Sequence, residues 1–236
     1  MPVALVTGAS RGLGLALARA LAERRWGLVI DAREPRALEA ARAELAPLTH
    51  LDAIRGDITD PRHREQLADA VRGAGGADLL VNNASVLGPS PQPALADYPF
   101  ADLEYVYRVN VLAPLALTQL LLPQLRAGAG RTVVNVTSDA AVEPYAGWGG
   151  YGSAKAALNQ LSAILGAEQP ELRIYAFDPG DMRTRMHQDA FPGEDISDRP
   201  EPESVLPALL HLIDGGLPSG RYRASDLALA AQDVRR

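Results

Sequence analysis

Short apolar runs alternate along this chain with segments whose apolar residues recur three and four positions apart, the spacing of one helix face. Val3 to Val6 is such a run. It meets glycines at once, and Leu13 to Leu21 then carries the helical spacing, so the pattern predicts strand, turn, helix. The unit repeats. Leu28 to Ile30 predicts a second strand and Pro35 to Leu45 its helix. Leu51 to Arg55 predicts a third strand, and Pro61 begins the next helix, with Thr59 or Asp60 as its cap. The loop Gly73 to Gly76 ends that helix before a fourth strand, Leu79 to Val81.

A proline-rich surface connection, Gly88 to Pro99, precedes a long helical pattern from Phe100 to Leu125, which Pro114 must kink or locally open. Thr132 to Val136 predicts a fifth strand, Tyr151 to Gln169 a helix and Arg173 to Phe177 a sixth strand. Between 185 and 202 the residues are polar, acidic and without clean periodicity, which predicts a mobile substrate lid. Val205 to Ile213 predicts a final helix and Gly220 to Arg223 a last strand. Alternation of this kind specifies an α/β fold, with a parallel sheet of about seven strands and helices on both faces. One doubly wound domain over 1–236 is expected, binding ligands outside the carboxyl ends of its strands.

Composition narrows the partners. A formal charge of −6 with the charges interspersed excludes a basic nucleic-acid surface. Cysteine is absent, so neither disulfides nor thiolate chemistry contribute, and a cytoplasmic setting is expected. No stretch approaches ~18 uninterrupted apolar residues, so no membrane association is expected. His50, His63, His187 and His211 show no ligand spacing, and no metal site is expected; each reads as a surface or locally bonded histidine.

The candidate chemistry falls on the carboxyl edge of the predicted sheet. In Thr7-Gly8-Ala9-Ser10-Arg11-Gly12-Leu13-Gly14 the glycines permit a tight turn and close approach of a diphosphate to a helix N-terminus. The spacing is not the common dinucleotide fingerprint, and a turn that only packs helix against sheet is the other reading. Tyr151 and Lys155, four residues apart on a helix, point into one space. A phenol titrates near pH ~10, and a fixed positive charge beside it lowers that value, which suits a general acid/base at neutral pH.

With Ser138 thirteen residues before Tyr151, an Asn82-Asn83-Ala84 turn, Asn110, and Pro179-Gly180 with Thr184, the chain resembles the short-chain dehydrogenase/reductase family over nearly its whole length. The resemblance implies a Rossmann-type domain and an oxidoreductase that interconverts a carbonyl and an alcohol by hydride transfer. It implies Tyr151 as general acid/base, Lys155 lowering its pKa and bonding the nicotinamide ribose, and Ser138 holding the substrate oxygen. Asn110 would anchor a water that connects Lys155 to solvent, or serve only as a satisfied polar group at the helix kink. Thr137 competes with Ser138, and Ser85 stands where the family usually has glycine.

The implied cofactor surface comprises Gly8, Ser10, Arg11, Gly12, Leu13 and Gly14 in the turn, and Arg33, Asp57 and Ile58 toward the adenosine. It continues with Asn83, Ala84, Tyr151 and Lys155, and with Pro179, Gly180, Met182 and Thr184 toward the nicotinamide. Asp31, seventeen residues after Gly14, is where the general fingerprint looks for a ribose acceptor and hence NAD. Matched against the family, however, the acidic position falls at Ala32 and a basic one at Arg33, while Arg11 adds a second guanidinium. Guanidinium groups suit a phosphate by charge and forked geometry, so NADP(H) is expected over NAD(H).

Tyr145 and Trp148 are candidate substrate walls, and Met186, Phe191 and Ile196 the lid's apolar contacts. The expected partners are a small carbonyl or alcohol substrate and a second copy of the chain in a homodimer or homotetramer. A catalytically silent NADP(H)-binding regulator is the alternative of a different class, and such a protein would not need the intact Ser138, Tyr151, Lys155 and Asn110.

Overall fold

The computed structural model describes residues 1–227; the end of the expected 1–236 domain, 228–236, lies outside the described residues. Seven strands form the sheet: β1 (Val3–Val6), β2 (Gly27–Ala32), β3 (Leu51–Arg55), β4 (Leu79–Asn82), β5 (Thr132–Val136), β6 (Arg173–Asp178) and β7 (Gly220–Arg223). All pair in parallel, in the order β3-β2-β1-β4-β5-β6-β7. The order reverses between β1 and β4, and such a switch point opens a crevice at the carboxyl ends of the strands.

The inner strands are buried on both faces and the edge strands β3 and β7 only half-buried, and the pleat sorts the side chains between the two faces. Leu5, Val29, Leu80 and Val133 join Leu67 and Val71 of α3 (Pro61–Gly73) and Leu117, Leu121 and Leu125 of α5 (Ala113–Ala127) in one core layer. Val6, Ile30, Val81 and Val134 face the other way. They pack with Leu13, Leu17 and Leu21 of α1 (Gly12–Glu23), Leu38 and Leu45 of α2 (Pro35–Leu45), and Leu209 and Leu212 of α8 (Leu206–Gly215).

The long helical pattern is broken where the proline requires it. Between α4 (Phe100–Tyr107) and α5 the helix widens into a π turn at Arg108–Leu112, because Pro114 has no N–H for the carbonyl of Asn110. Phe100–Ala127 as a whole is long and apolar enough, by length and composition, to cross a membrane, but half of its most apolar window is buried, as in a core helix. At the centre of the sheet a polar chain ties the strands to the helix α6 (Gly149–Glu168): Asn82 Nδ2 donates to Asn135 Oδ1 at 2.7 Å, and Asn135 Nδ2 to Ser162 Oγ at 2.8 Å.

The segment 185–202 is not the structureless stretch its composition suggests. Arg185–Ala190 forms a short helix, α7, whose first turn is capped by Thr184 Oγ1 accepting from the His187 N–H at 3.2 Å. Six residues are too few for a helical period to stand out among charged side chains.

Candidate active site

The glycine turn is held from two sides. Gly8 and Gly12 have φ of +65° and +56°, and a Cβ on Gly8 would lie 2.9 Å from the Cα of Ala84. On the β4 side, Thr7 Oγ1 accepts from the Asn83 and Ala84 N–H groups at 3.0 Å each, and Asn83 Nδ2 donates to the Thr7 carbonyl at 2.8 Å. On the β2 side, the Gly8 N–H donates to Asp31 Oδ1 at 2.7 Å. α1 begins at Gly12 after an extended Arg11 and has no side-chain cap, so its N-terminal amides suit a diphosphate. Gly14 differs from expectation: it does not line the cleft. A Cβ there would lie 2.5 Å from Asn83 Nδ2 and 2.7 Å from the Gly8 carbonyl, so its role is close packing inside the turn.

A cleft of about 1120 Å³ runs from this turn across the carboxyl edge of the sheet. It brings together Ser10, Arg11, Leu13, Arg33, Asp57, Ile58 and Ala84 with Ser138, Tyr151, Lys155, Pro179, Gly180, Met182 and Thr184. At the adenosine end the Arg33 guanidinium donates to the Tyr105 hydroxyl and lies 3.9 Å from Asp57 Oδ2. Asp57 Oδ1 accepts from the N–H and hydroxyl of Thr59, while Asp60 caps α3 by accepting from the Arg62 N–H. Glu34, the carboxylate next to Arg33, caps α2 through the Arg36 and Ala37 amides. Asp31 is fully engaged and buried: Oδ2 bonds His63 Nε2 at 2.9 Å. Both oxygens already accept a hydrogen bond and the side chain is 2% exposed, which leaves it poorly placed to serve a ribose. His63 is thus a locally bonded core residue.

At the other end stand the reacting groups. α6 packs close enough to the turn at Asp139–Ala141 that a Cβ on Gly152 would lie 2.6 Å from the Ala140 carbonyl. This approach carries Tyr151 to the cleft. Ser138, at the end of β5, donates its hydroxyl to Asp139 Oδ1 at 2.8 Å and accepts from the Ala140 N–H at 3.2 Å. Lys155 Nζ donates to the Val136 carbonyl at 2.7 Å and lies 5.4 Å from the centre of the Tyr151 ring.

In the cofactor-free cleft burial, rather than Lys155, dominates the Tyr151 phenol. Burial pushes the Tyr151 phenol above its ordinary range, the Ser85 hydroxyl works against that shift, and the charges of Asp178 and Asp139 reinforce it. Burial also pushes the Lys155 ammonium down to about 7. Desolvation disfavours a charge on either group.

Asn110 is fully buried and does not line the cleft. Its Oδ1 accepts from Ser85 Oγ at 3.1 Å and the Val86 N–H at 3.0 Å, and its Nδ2 donates to the Val86 carbonyl at 2.8 Å. The side chain therefore clamps the loop beside Tyr151, as a satisfied polar group at the π turn would. The backbone of Ser85 is outside the left-handed region, so the loop accepts serine in place of glycine without strain.

Two carboxylates that were not assigned roles from the sequence complete the site. Asp139 bridges Ser138 and the Tyr145 hydroxyl, and these bonds overcome its desolvation to keep its pKa below the usual value. Asp178, at the end of β6, accepts from the Gly180 N–H at 3.0 Å and from Arg221 Nη2 at 2.6 Å, with Arg223 Nε at 3.5 Å. Arg221 also donates to the Ser138 carbonyl at 3.3 Å, so one guanidinium joins the ends of β5, β6 and β7. Asp139 adjoins Ser138 and Asp178 adjoins Pro179-Gly180; that adjacency was the available signal.

Beyond Tyr151, Trp148 packs edge-on against it at 5.9 Å between centroids and contacts Tyr145 and Phe191. Met186 and Ala190 of α7 pack with Leu87, Ala140 and Tyr151. Leu87, Met186 and Ala190 line the cleft beside Tyr151 and Ser138, together with Asp139 and Asp178, while Tyr145, Trp148 and Phe191 do not line it.

A sheet with this switch point, a glycine turn at its first strand and a buried tyrosine–lysine pair on α6 define a nucleotide-binding oxidoreductase. The chain belongs to the short-chain dehydrogenase family, whose model matches residues 2–195. It is 32% identical to sepiapterin reductase from Bos taurus over 197 residues, covering 78% of this chain and 74% of that protein. A short-chain dehydrogenase from Pseudomonas syringae superposes with a TM-score of 0.88 at 31% identity, covering 94% of each chain. One from Shigella flexneri, solved in complex with NADP, gives a TM-score of 0.85 at 27% identity, covering 95% of this chain and 97% of that one.

Proposed function

We propose that the protein is an NADP(H)-dependent oxidoreductase that interconverts a carbonyl and an alcohol, with Tyr151 transferring the proton. The observation that carries this reading is the common cleft: the Tyr151 phenol, the Ser138 hydroxyl and the Lys155 ammonium line one end of it, and the glycine turn and Arg33 line the other. The NADP bound by the Shigella flexneri relative supports the cofactor, and the reductase name of the Bos taurus relative supports the reaction.

The residues fit the group. The turn and the α1 N-terminus would hold the diphosphate, Arg33 and Arg11 the 2′-phosphate, and Lys155 the nicotinamide ribose. When bound, the nicotinamide supplies a hydride to the carbonyl carbon or accepts one from the alcohol. Tyr151, kept protonated by burial, gives its proton to the oxygen that gains charge, and Ser138 donates a hydrogen bond to that same oxygen. Ser138 must first turn its hydroxyl away from Asp139. Asn110 and Ser85 hold the loop behind the phenol, and α7 with the segment to 202 covers the substrate.

The apolar wall of Leu87, Met186 and Ala190 suits an uncharged or moderately apolar aldehyde or ketone. The same reading includes a homodimer through the long helices, supported by the exposed apolar residues Phe100, Leu112, Leu120 and Ile164 on their surface. Size-exclusion chromatography with light scattering tests the dimer, and a monomer at micromolar concentration contradicts it. The activity test follows NADPH and NADH oxidation over a panel of aldehydes, ketones and diketones. Turnover with NADPH in preference to NADH supports the proposal. Tight NADPH binding with no turnover on any compound favours the silent regulator.

A further inference from the structure

We propose that His63 and Asp31 form a buried positioning pair that joins the two walls of the adenosine half of the cleft; the proposal rests on the NADP(H) reading above. Asp31 lies in β2 and His63 in the first turn of α3, and they are 2% and 3% exposed. A carboxylate at this bond can only accept, so His63 Nε2 carries the hydrogen and donates it to Asp31 Oδ2 at 2.9 Å. The other carboxylate oxygen accepts from the Gly8 N–H at 2.7 Å, and the Asp31 carbonyl accepts from the Ala9 N–H at 3.0 Å. One residue of β2 therefore fixes two successive amides of the glycine turn, at the position where φ is positive.

The same imidazole fixes the opposite wall. A Cβ on Gly56 would lie 2.1 Å from His63 Nδ1 and 2.3 Å from its Cγ, so the ring rests directly on the Gly56 backbone. Gly56 leads into Asp57 and Ile58, which line the cleft beside Arg33. His63 thus touches the Gly56–Ile58 loop by packing and the glycine turn through Asp31.

Packing alone does not account for a histidine here. Its Nδ1 is buried with no hydrogen-bond partner, a cost that an apolar side chain of similar size would avoid. The N–H directed at Asp31 is what an apolar residue could not supply. Without it, the buried carboxylate would lose one of its two hydrogen-bond partners, and the group that holds the Gly8 amide would no longer be fixed from α3. The pair also explains why Asp31, at the strand position where an acidic residue commonly serves a ribose, is poorly placed for that task.

Calorimetric titration with NADPH and with adenosine 2′,5′-bisphosphate tests the pair in the full-length chain, alongside steady-state kinetics. His63→Leu is expected to weaken both ligands tenfold or more and to raise the KM for NADPH equally, while kcat at saturating NADPH stays within about threefold of wild type. His63→Gln, whose side-chain N–H can reach Asp31, is expected to recover most of the affinity.

The double variant Asp31→Val/His63→Leu removes both members of the pair and strands no buried charge, only the partly buried Gly8 N–H, so it decides the matter if His63→Leu does not fold. Its expected binding loss is again tenfold or more. Wild-type affinity for both ligands in a folded His63→Leu or double variant would overturn the proposal. So would a loss confined to kcat. If the wild-type protein binds neither ligand, the cofactor reading itself fails, and the pair has no cofactor to position.

Discussion

Lys155 Nζ lies 5.4 Å from the centre of the Tyr151 ring and hydrogen-bonds the Val136 carbonyl, so the two groups share one desolvated space at the end of β5. That space sets their charge states. Burial favours a neutral phenol and brings the lysine to about 7, which puts a protonated acid and a readily titrated base side by side near neutral pH.

A stability signature follows for the cofactor-free protein. Lys155 binds its proton less tightly when folded, at about 7, than when unfolded, near 10.5. Between those values the unfolded chain holds more protons, so stability rises with pH, by about 1 kcal/mol per unit from this group at pH 8 to 9. Below about 7 the folded protein must carry a buried charge, and that gain is absent. Urea unfolding across this range should show the rise in wild type and a flatter profile in Lys155→Met. Identical slopes would mean that Lys155 is not desolvated as described.

Arg33 lies at the adenosine end with its guanidinium already steered by Tyr105 and Asp57. Arg33→Ala should weaken NADPH by roughly 10- to 100-fold, the scale of a lost charge-assisted contact, and leave NADH nearly unchanged. Titration of both cofactors checks this, and equal losses would move the 2′-phosphate site elsewhere.

Arg221 neutralises Asp178, which is buried beneath the Pro179-Gly180 turn. Removing one partner of such a pair strands the other charge, so Arg221→Leu should cost roughly 3 kcal/mol of stability, less whatever Arg223 recovers. A melting temperature unchanged from wild type would show that Arg223 alone suffices.

The inner strands were legible in the sequence because each carries a short, largely apolar run followed by turn residues, and a break in the long helix because Pro114 forces one; the edge strands β3 and β7 carry charged residues and read less clearly. Ser138, Tyr151 and the glycine turn were legible from spacing, and the structure brings them into one cleft. Other features depend on what folding does to solvent and distance. Tyr151 and Lys155 sit four apart in the chain, but the burial that pushes the phenol's pKa up and the ammonium's down is not written in that spacing. Gly14 reads as a ligand-facing residue and instead packs the turn, since a motif specifies position and not the direction a residue faces, while the Asn110 side chain performs the structural one of its two expected tasks, clamping the Ser85–Val86 loop. The Asp31–His63 bond joins residues on separate elements, and no local pattern marks it.

The central claim is that Tyr151 passes the proton in a cleft that binds NADP(H) without it. The direct measurement is Tyr151→Phe, read both as NADPH affinity by titration and as turnover of a carbonyl substrate of the wild type. The phenylalanine keeps the ring against Trp148 and Lys155 and removes only the hydroxyl. The account expects NADPH affinity within about threefold of wild type and turnover reduced at least ~100-fold, the scale of a lost general acid. Turnover retained to within a few-fold would contradict it and assign the proton to another group.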